Sequence, residues 1–132
     1  MNDLNLNELR KIYSGRNVFI TGHNGFKGSW LSFLLNLVGA KVTGYSLPLS
    51  SPKSHFEALN LKDKVNDIKG DIRDFDFLKS SMTECKPEFV FHLAAQALVR
   101  KSYKNAIDTF STNIIGSANL LEAVNQVDNI RS

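Results

Sequence analysis

Three glycines at a spacing of three, Gly22, Gly25 and Gly28, stand where a short apolar run gives way to an amphipathic one, and that junction constrains the fold more than any other feature. Asn17 to Thr21 (NVFIT) reads as a buried strand, β-branched and aromatic, bounded by Gly15 and Gly22. Gly28 to Val38 reads as a helix, with apolar residues at Trp30, Leu31, Leu34, Leu35 and Val38 and a stop at Gly39. Between them, each glycine has its own physical reason. Gly22 lets the chain turn sharply out of the strand, Gly25 lets the backbone approach a pyrophosphate with no Cβ in the way, and Gly28 lets the helix lie close to the sheet. The helix N-terminus then aims its free N–H groups and its dipole at the phosphates. A glycine-rich turn without a ligand is the alternative, and the strand before and helix after argue against it. Lys27 either adds charge at the phosphates or is a solvated lysine of the first turn. His23 reads as a loop residue with no chemistry.

The rest of the chain repeats the alternation. Lys41 to Leu47 reads as a second strand, followed by a Ser- and Pro-rich loop from Pro48 to Ser54 and a short helix from His55 to Leu59. Val65 to Lys69 reads as a third strand. Asp74 to Cys85 reads as a helix opened by an acidic cap, with Phe75, Leu78 and Met82 able to face the sheet. Glu88 to Ala94 is the fourth and most apolar strand. Ala106 to Val127 reads as a long helix with Phe110, Ile114, Ala118, Leu121 and Val124 near one face. This βαβαβαβα order is that of an α/β, Rossmann-type parallel sheet flanked by helices. About four strands are expected, and Val127 to Ser132 stand where a fifth would begin, so the sheet is expected to be incomplete. The expected division is an N-terminal segment, 1–16, and a partial dinucleotide-binding domain, 17–132.

Composition narrows the function classes. At 132 residues, 42% hydrophobic and 22% charged, the chain suits one globular domain. The net charge of +3 is spread along the sequence rather than gathered into a stripe, which argues against nucleic acid as a partner. Cys85 is the single cysteine, which excludes an intramolecular disulfide and a cysteine-based zinc site, and no metal is expected. The apolar stretch from Leu31 to Val38 is broken by Ser32 and Asn36 and is too short to span a bilayer. Met1 to Arg10 is polar and unlike a signal peptide, so no membrane and a cytoplasmic location are expected.

Other residues fall where a dinucleotide would need them. Asp71, just past the third strand, can accept the adenine amino group while Ile72 covers the ring, with Asp74 the better helix cap. His92-Leu93-Ala94-Ala95-Gln96 ends the fourth strand beside the expected cofactor path, and His92 reads as a satisfied core histidine. The acidic residue that grips the adenosine ribose normally ends the second strand, but Ser46 stands there. A hydroxyl can bond a ribose without repelling a 2′-phosphate as a carboxylate would, so NAD versus NADP stays open, with Lys53 a candidate 2′-phosphate contact.

Taken together, Gly22-x-x-Gly25-x-x-Gly28, Asp71-Ile72-Arg73-Asp74, His92-Leu93-Ala94-Ala95 and Thr112-Asn113-Ile114-Ile115-Gly116 resemble the extended short-chain dehydrogenase/reductase superfamily. Gly25-Phe26-Lys27-Gly28-Ser29-Trp30-Leu31, Gly44-Tyr45-Ser46 and Phe91 to Arg100 are similar, more narrowly, to its CDP-glucose 4,6-dehydratases. The resemblance implies a lyase that holds NAD, removes hydride from C4 of a nucleotide sugar, eliminates water across C5 and C6 and returns the hydride to C6. It implies backbone contacts from Phe26 and Lys27 to the pyrophosphate, Asp71 and Ile72 at the adenine, Leu93, Ala94, Ala95 and Gln96 along the nicotinamide, and Thr112 or Asn113 near its ribose, with Asn24 a further cofactor-binding residue. A homodimer is expected of the full-length enzyme. One departure matters. The family's catalytic Tyr-x-x-x-Lys is absent: four residues after Tyr13, Tyr45 and Tyr103 stand Asn17, Leu49 and Ile107. No catalytic residue is therefore assigned, and the chain alone is expected to be inactive. The alternatives are part of a UDP-sugar epimerase or decarboxylase, and a non-catalytic dinucleotide-binding protein.

Overall fold

The computed structural model describes residues 5–49 and 53–132. The expectations placed on Met1 to Leu4 and on Ser50 to Pro52 of the polar loop lie outside those residues. A helix precedes the sheet, α1 (Leu6–Tyr13), capped by the Asn5 side chain on the Asn7 N–H. The alternating part runs β1 (Asn17–Thr21), α2 (Phe26–Leu37), β2 (Lys41–Ser46), α3 (His55–Ala58), β3 (Asn66–Lys69), α4 (Phe75–Cys85) and β4 (Phe89–His92). Then follow α5 (Val99–Lys104) and α6 (Ala106–Phe110), which passes through a π-helical turn at Ser111–Ile115 into α7 (Gly116–Gln126). Among the described residues, no helix is long and apolar enough to cross a membrane.

All four strands are parallel, in the order β3-β2-β1-β4. β1 is therefore central, covered on both faces, and Val18, Phe19 and Ile20 are fully buried. Removing each such side chain from water contributes about 1.5–3 kcal/mol, which is why this strand reads as a continuous apolar run. One layer of core gathers Val18, Ile20, Leu35, Val42, Phe56 and Leu61; the other gathers Phe19, Tyr45, Ile72, Leu78, Met82 and Leu120. The chain leaves β1 toward β2 and β3 and then returns to pair β4 with the other edge of β1. That reversal is the switch point, where a crevice opens beyond the carboxyl ends of β1 and β4. Beside β4 run the final residues: Arg131 donates its N–H to the Glu88 carbonyl, and Val90 donates to the Ser132 carbonyl, both at 2.8 Å.

Several sequence expectations are corrected. α2 starts at Phe26, two residues before the expected Gly28, because Gly25 already has the extended backbone of an N-cap (φ −72°, ψ 175°). Its sheet-facing side is Gly28, Ser29, Ser32 and Leu35, and Trp30 is exposed, since small residues let the helix approach the strands closely. The last helix docks through Gly116, Leu120 and Ala123, whereas Phe110, Ile114 and Leu121 are exposed. Gly116 decides that rotation: a Cβ there would lie 2.4 Å from the Ile72 δ-carbon. α1 and α5 are helices where no element was expected: α5 is only six residues long, whereas α1 did carry a signal, with Leu6, Leu9, Ile12 and Tyr13 at helical spacing.

Candidate functional site

At the switch point lies a cleft of about 360 Å³, lined by Gly22, Asn24, Gly25, Ser46 to Leu49, Gly70, Asp71, Ile72, Leu93 to Ala95 and Thr112. One wall is the turn between β1 and α2. Gly22 adopts φ +72°, a left-handed conformation that favours glycine, and a Cβ on it would lie 2.6 Å from the Ala94 amide nitrogen. A Cβ on Gly28 would lie 2.0 Å from the Gly22 carbonyl oxygen, so this glycine is packed on the turn itself more tightly than on the sheet. Gly25 is different: its Cβ position meets only the Gly22 carbonyl oxygen, at 3.3 Å. No side chain among the described residues caps α2, and no acidic residue occupies its first turn. Phe26, Lys27 and Gly28 thus begin a helix whose first N–H groups have no partner within the helix. The Phe26 and Lys27 side chains are exposed. Asn24 ties the turn to the end of β2 by donating from its amide to the Leu47 carbonyl at 2.8 Å.

The floor toward β3 is built on Asp71. Arg73 grips its carboxylate through the backbone N–H (2.9 Å), Nε (3.0 Å) and a terminal nitrogen (2.6 Å), and reaches Asp108 with the other at 2.8 Å. Those hydrogen bonds hold the Asp71 carboxyl below its ordinary range. Asp74, as expected, caps α4 by accepting from the Phe77 N–H. Tyr45 is fully buried and donates to the Asp71 carbonyl at 3.0 Å; burial, with Asp74 and Asp71 nearby, pushes its phenol up to about 12. Ile72 lines the cleft but is 4% exposed, a core residue first.

On the other wall, Leu93 and Ala94 are half-buried and Ala95 is exposed. The Ala94 N–H reaches the Thr21 hydroxyl at 3.3 Å, and that hydroxyl lies 2.6 Å from His92 Nδ1. His92 Nε2 is 3.0 Å from the Ser117 hydroxyl, which itself donates to the Asn113 carbonyl at 2.7 Å. Both ring nitrogens are thus satisfied and partial burial of the ring lowers the His92 pKa, but the residue as a whole is exposed rather than in the core, because β4 is an edge strand of the sheet. The π-helical turn carries Thr112 at the cleft. Gln96 and Asn113 are not brought to the lining. They bond each other, Gln96 N–H to Asn113 Oδ1 at 2.8 Å and Asn113 amide to Gln96 carbonyl at 3.2 Å.

One residue was missed. His23 is not an idle loop residue: it is fully buried, with Nε2 2.9 Å from Asp67 Oδ1, Nδ1 2.7 Å from the Ser46 hydroxyl, and its ring edge-on to Phe56. Burial lowers its pKa, against the pull of Asp67. The available signal was Gly44 inside a strand, because a Cβ there would lie 2.1 Å from His23 Cγ.

Residues 19–132 match the family model described as GDP-mannose 4,6 dehydratase. The chain belongs to that family. It is 51% identical, over 93% of its length, to the CDP-glucose 4,6-dehydratase of Salmonella typhimurium, of which it covers 34%. An epimerase structure from Methanothermobacter thermautotrophicus superposes with a TM-score of 0.81 at 32% identity, covering 93% of this chain and 35% of that one. A UDP-glucose 4-epimerase from Stenotrophomonas maltophila with bound NAD and formylated UDP-arabinopyranose superposes with a TM-score of 0.74 at 30% identity, covering 83% and 33%. The chain spans about a third of the length of these relatives.

Proposed function

We propose that this chain is the dinucleotide-binding portion of a sugar-nucleotide 4,6-dehydratase acting on CDP-glucose, and that it holds NAD in the cleft at the switch point. The observation that carries the reading is the uncapped N-terminus of α2 opening on that cleft behind a three-glycine turn. The residues fit a pyrophosphate. Two of the glycines are fixed by the backbone around them, while a Cβ on Gly25 would meet little protein, and an anion there gains both N–H donors and the helix dipole. In this reading the Phe26 and Lys27 N–H groups take the pyrophosphate. Asp71, with three donors from Arg73 on its two oxygens, keeps acceptor capacity for the adenine amino group, beside Ile72. Leu93, Ala94 and Ala95 pack along the nicotinamide, Thr112 stands at its ribose, and Gln96 and Asn113 act indirectly by holding the loop after β4. When bound, NAD supplies a hydride acceptor and donor for a conversion that is redox-neutral overall and releases water. The chain contributes binding and orientation only, because none of its tyrosines has a lysine four residues on.

Identity of 51% to a CDP-glucose dehydratase against 36% and 37% to two epimerase relatives supports the dehydratase reading over an epimerase. Homodimerisation of the full-length enzyme goes with it, supported by the exposed apolar side chains Ile107, Phe110, Ile114 and Leu121, as does a cytoplasmic location. The test uses Trp30, the single tryptophan, which lies on α2. NADH titrated into the protein should give saturable energy transfer from Trp30, displaced by NAD. An unsaturable response, or one that NAD does not displace, contradicts the assignment.

A further inference from the structure

Ser46 occupies the position where a dinucleotide's adenosine ribose would be gripped, yet its hydroxyl is not free to choose its role. The Asp67 carboxylate is paired with Lys69, whose ammonium lies 2.7 Å from both of its oxygens. A carboxylate only accepts, so His23 Nε2, 2.9 Å away, carries the proton. The ring is fully buried between Phe56 and the backbone of Gly44, which favours the neutral imidazole. In the neutral ring Nδ1 is then an acceptor, and the Ser46 hydroxyl 2.7 Å away donates its one proton to it. What Ser46 has left for the cleft is oxygen lone pairs.

We propose that His23 and Asp67 are positioning residues that turn Ser46 into an obligate hydrogen-bond acceptor, so that the cleft selects an unphosphorylated adenosine ribose and hence NAD over NADP. The inference rests on the cofactor reading above. A ribose hydroxyl has a proton to donate to Ser46; a 2′-phosphate dianion has none and brings its own lone pairs against those of the serine. Discrimination of this kind comes as much from the repelled ligand as from the accepted one. The relay thus gives a neutral serine the selectivity usually supplied by a carboxylate.

Two measurements test it. In protein labelled with ¹⁵N at histidine, the His23 nitrogen shifts at pH 8 should be those of the Nε2–H tautomer; the Nδ1–H tautomer overturns the relay. Calorimetry should then give a preference for NAD over NADP on the order of tenfold in the natural protein, the equivalent of one well-placed hydrogen bond. Ser46→Thr, which keeps the hydroxyl, should retain that preference. Ser46→Ala and His23→Phe should lose most of it, chiefly by weaker NAD binding. Since His23→Phe also removes a buried partner of Asp67 and can fail to fold, Ser46→Ala is the deciding variant. An undiminished preference in folded Ser46→Ala overturns the relay alone, as does equal affinity for both ligands in the natural protein. If folded protein binds neither dinucleotide, the cofactor reading falls and takes this inference with it.

Discussion

Gly25→Ala and Gly28→Ala look alike in sequence and should behave oppositely. Ordinary helix propensity favours alanine over glycine by about 1 kcal/mol inside a helix, so on propensity alone Gly28→Ala stabilises. Its Cβ, however, would stand 2.0 Å from the Gly22 carbonyl oxygen and 2.8 Å from the His23 Cα, both backbone atoms of a turn already pinned at Gly22. Overpacking of that kind costs about 1–3 kcal/mol, and a backbone obstacle puts it at the upper end. The clash wins, with a net loss of about 2 kcal/mol once propensity is credited. For a domain of this size that lowers Tm by roughly 5–10 °C. Gly25 has an ordinary negative φ and a single neighbour at 3.3 Å, so alanine there is nearly neutral: the loss of unfolded-state freedom contributes about 0.4–1 kcal/mol and offsets the tight contact. Its methyl would nevertheless stand where a pyrophosphate must approach, and NAD affinity should fall tenfold or more. Thermal unfolding by circular dichroism with NAD titration on each variant provides the assay. A Gly28→Ala protein as stable as the natural one, or a Gly25→Ala protein that binds NAD normally, refutes the reasoning.

Burial depresses the pKa of both His23 and His92 below the unfolded value of 6.5. The unfolded chain therefore binds more protons just below that pH, so the stability they contribute is present above pH 6.5 and is lost as pH falls toward their folded values. Tm should be level between pH 7 and 8 and decline below 6.5; a flat Tm from pH 7 to 5 contradicts this. Incubation with CDP-glucose and NAD should give no 4-keto-6-deoxy product by chromatography, and turnover would show that a base outside the Tyr-x-x-x-Lys pattern suffices. Light scattering should show concentration-dependent association through the face bearing Ile107, Phe110 and Leu121, relieved by Leu121→Lys, and a clean monomer at high concentration counts against that face.

The parallel sheet and its flanking helices were legible because the signals for them are local. Buried strands such as Val18 to Ile20 must be apolar throughout, and a glycine triplet between strand and helix has few other uses. The rotation of the last helix was not legible. Its apolar residues lie on more than one side, and the docking face was settled by the absence of a side chain at Gly116 against Ile72, a contact 44 positions away in sequence. His23 was missed for the same kind of reason. Its partners, Ser46 and Asp67, come from two other strands, and only the register of β2 with β3, in which Gly44 pairs Asp67, brings them together. Gln96 and Asn113, polar residues beside the expected cofactor path, bond each other across 17 positions, a pairing that spacing alone does not reveal.

Whether the cleft between the β1–α2 turn and the end of β4 binds a dinucleotide is decided by isothermal titration of the 132-residue protein with NAD. Saturable binding at one site per chain is expected, weakened tenfold or more in Gly25→Ala protein of undiminished Tm. Absence of heat or saturation with folded protein, or binding that survives Gly25→Ala unchanged, would contradict it.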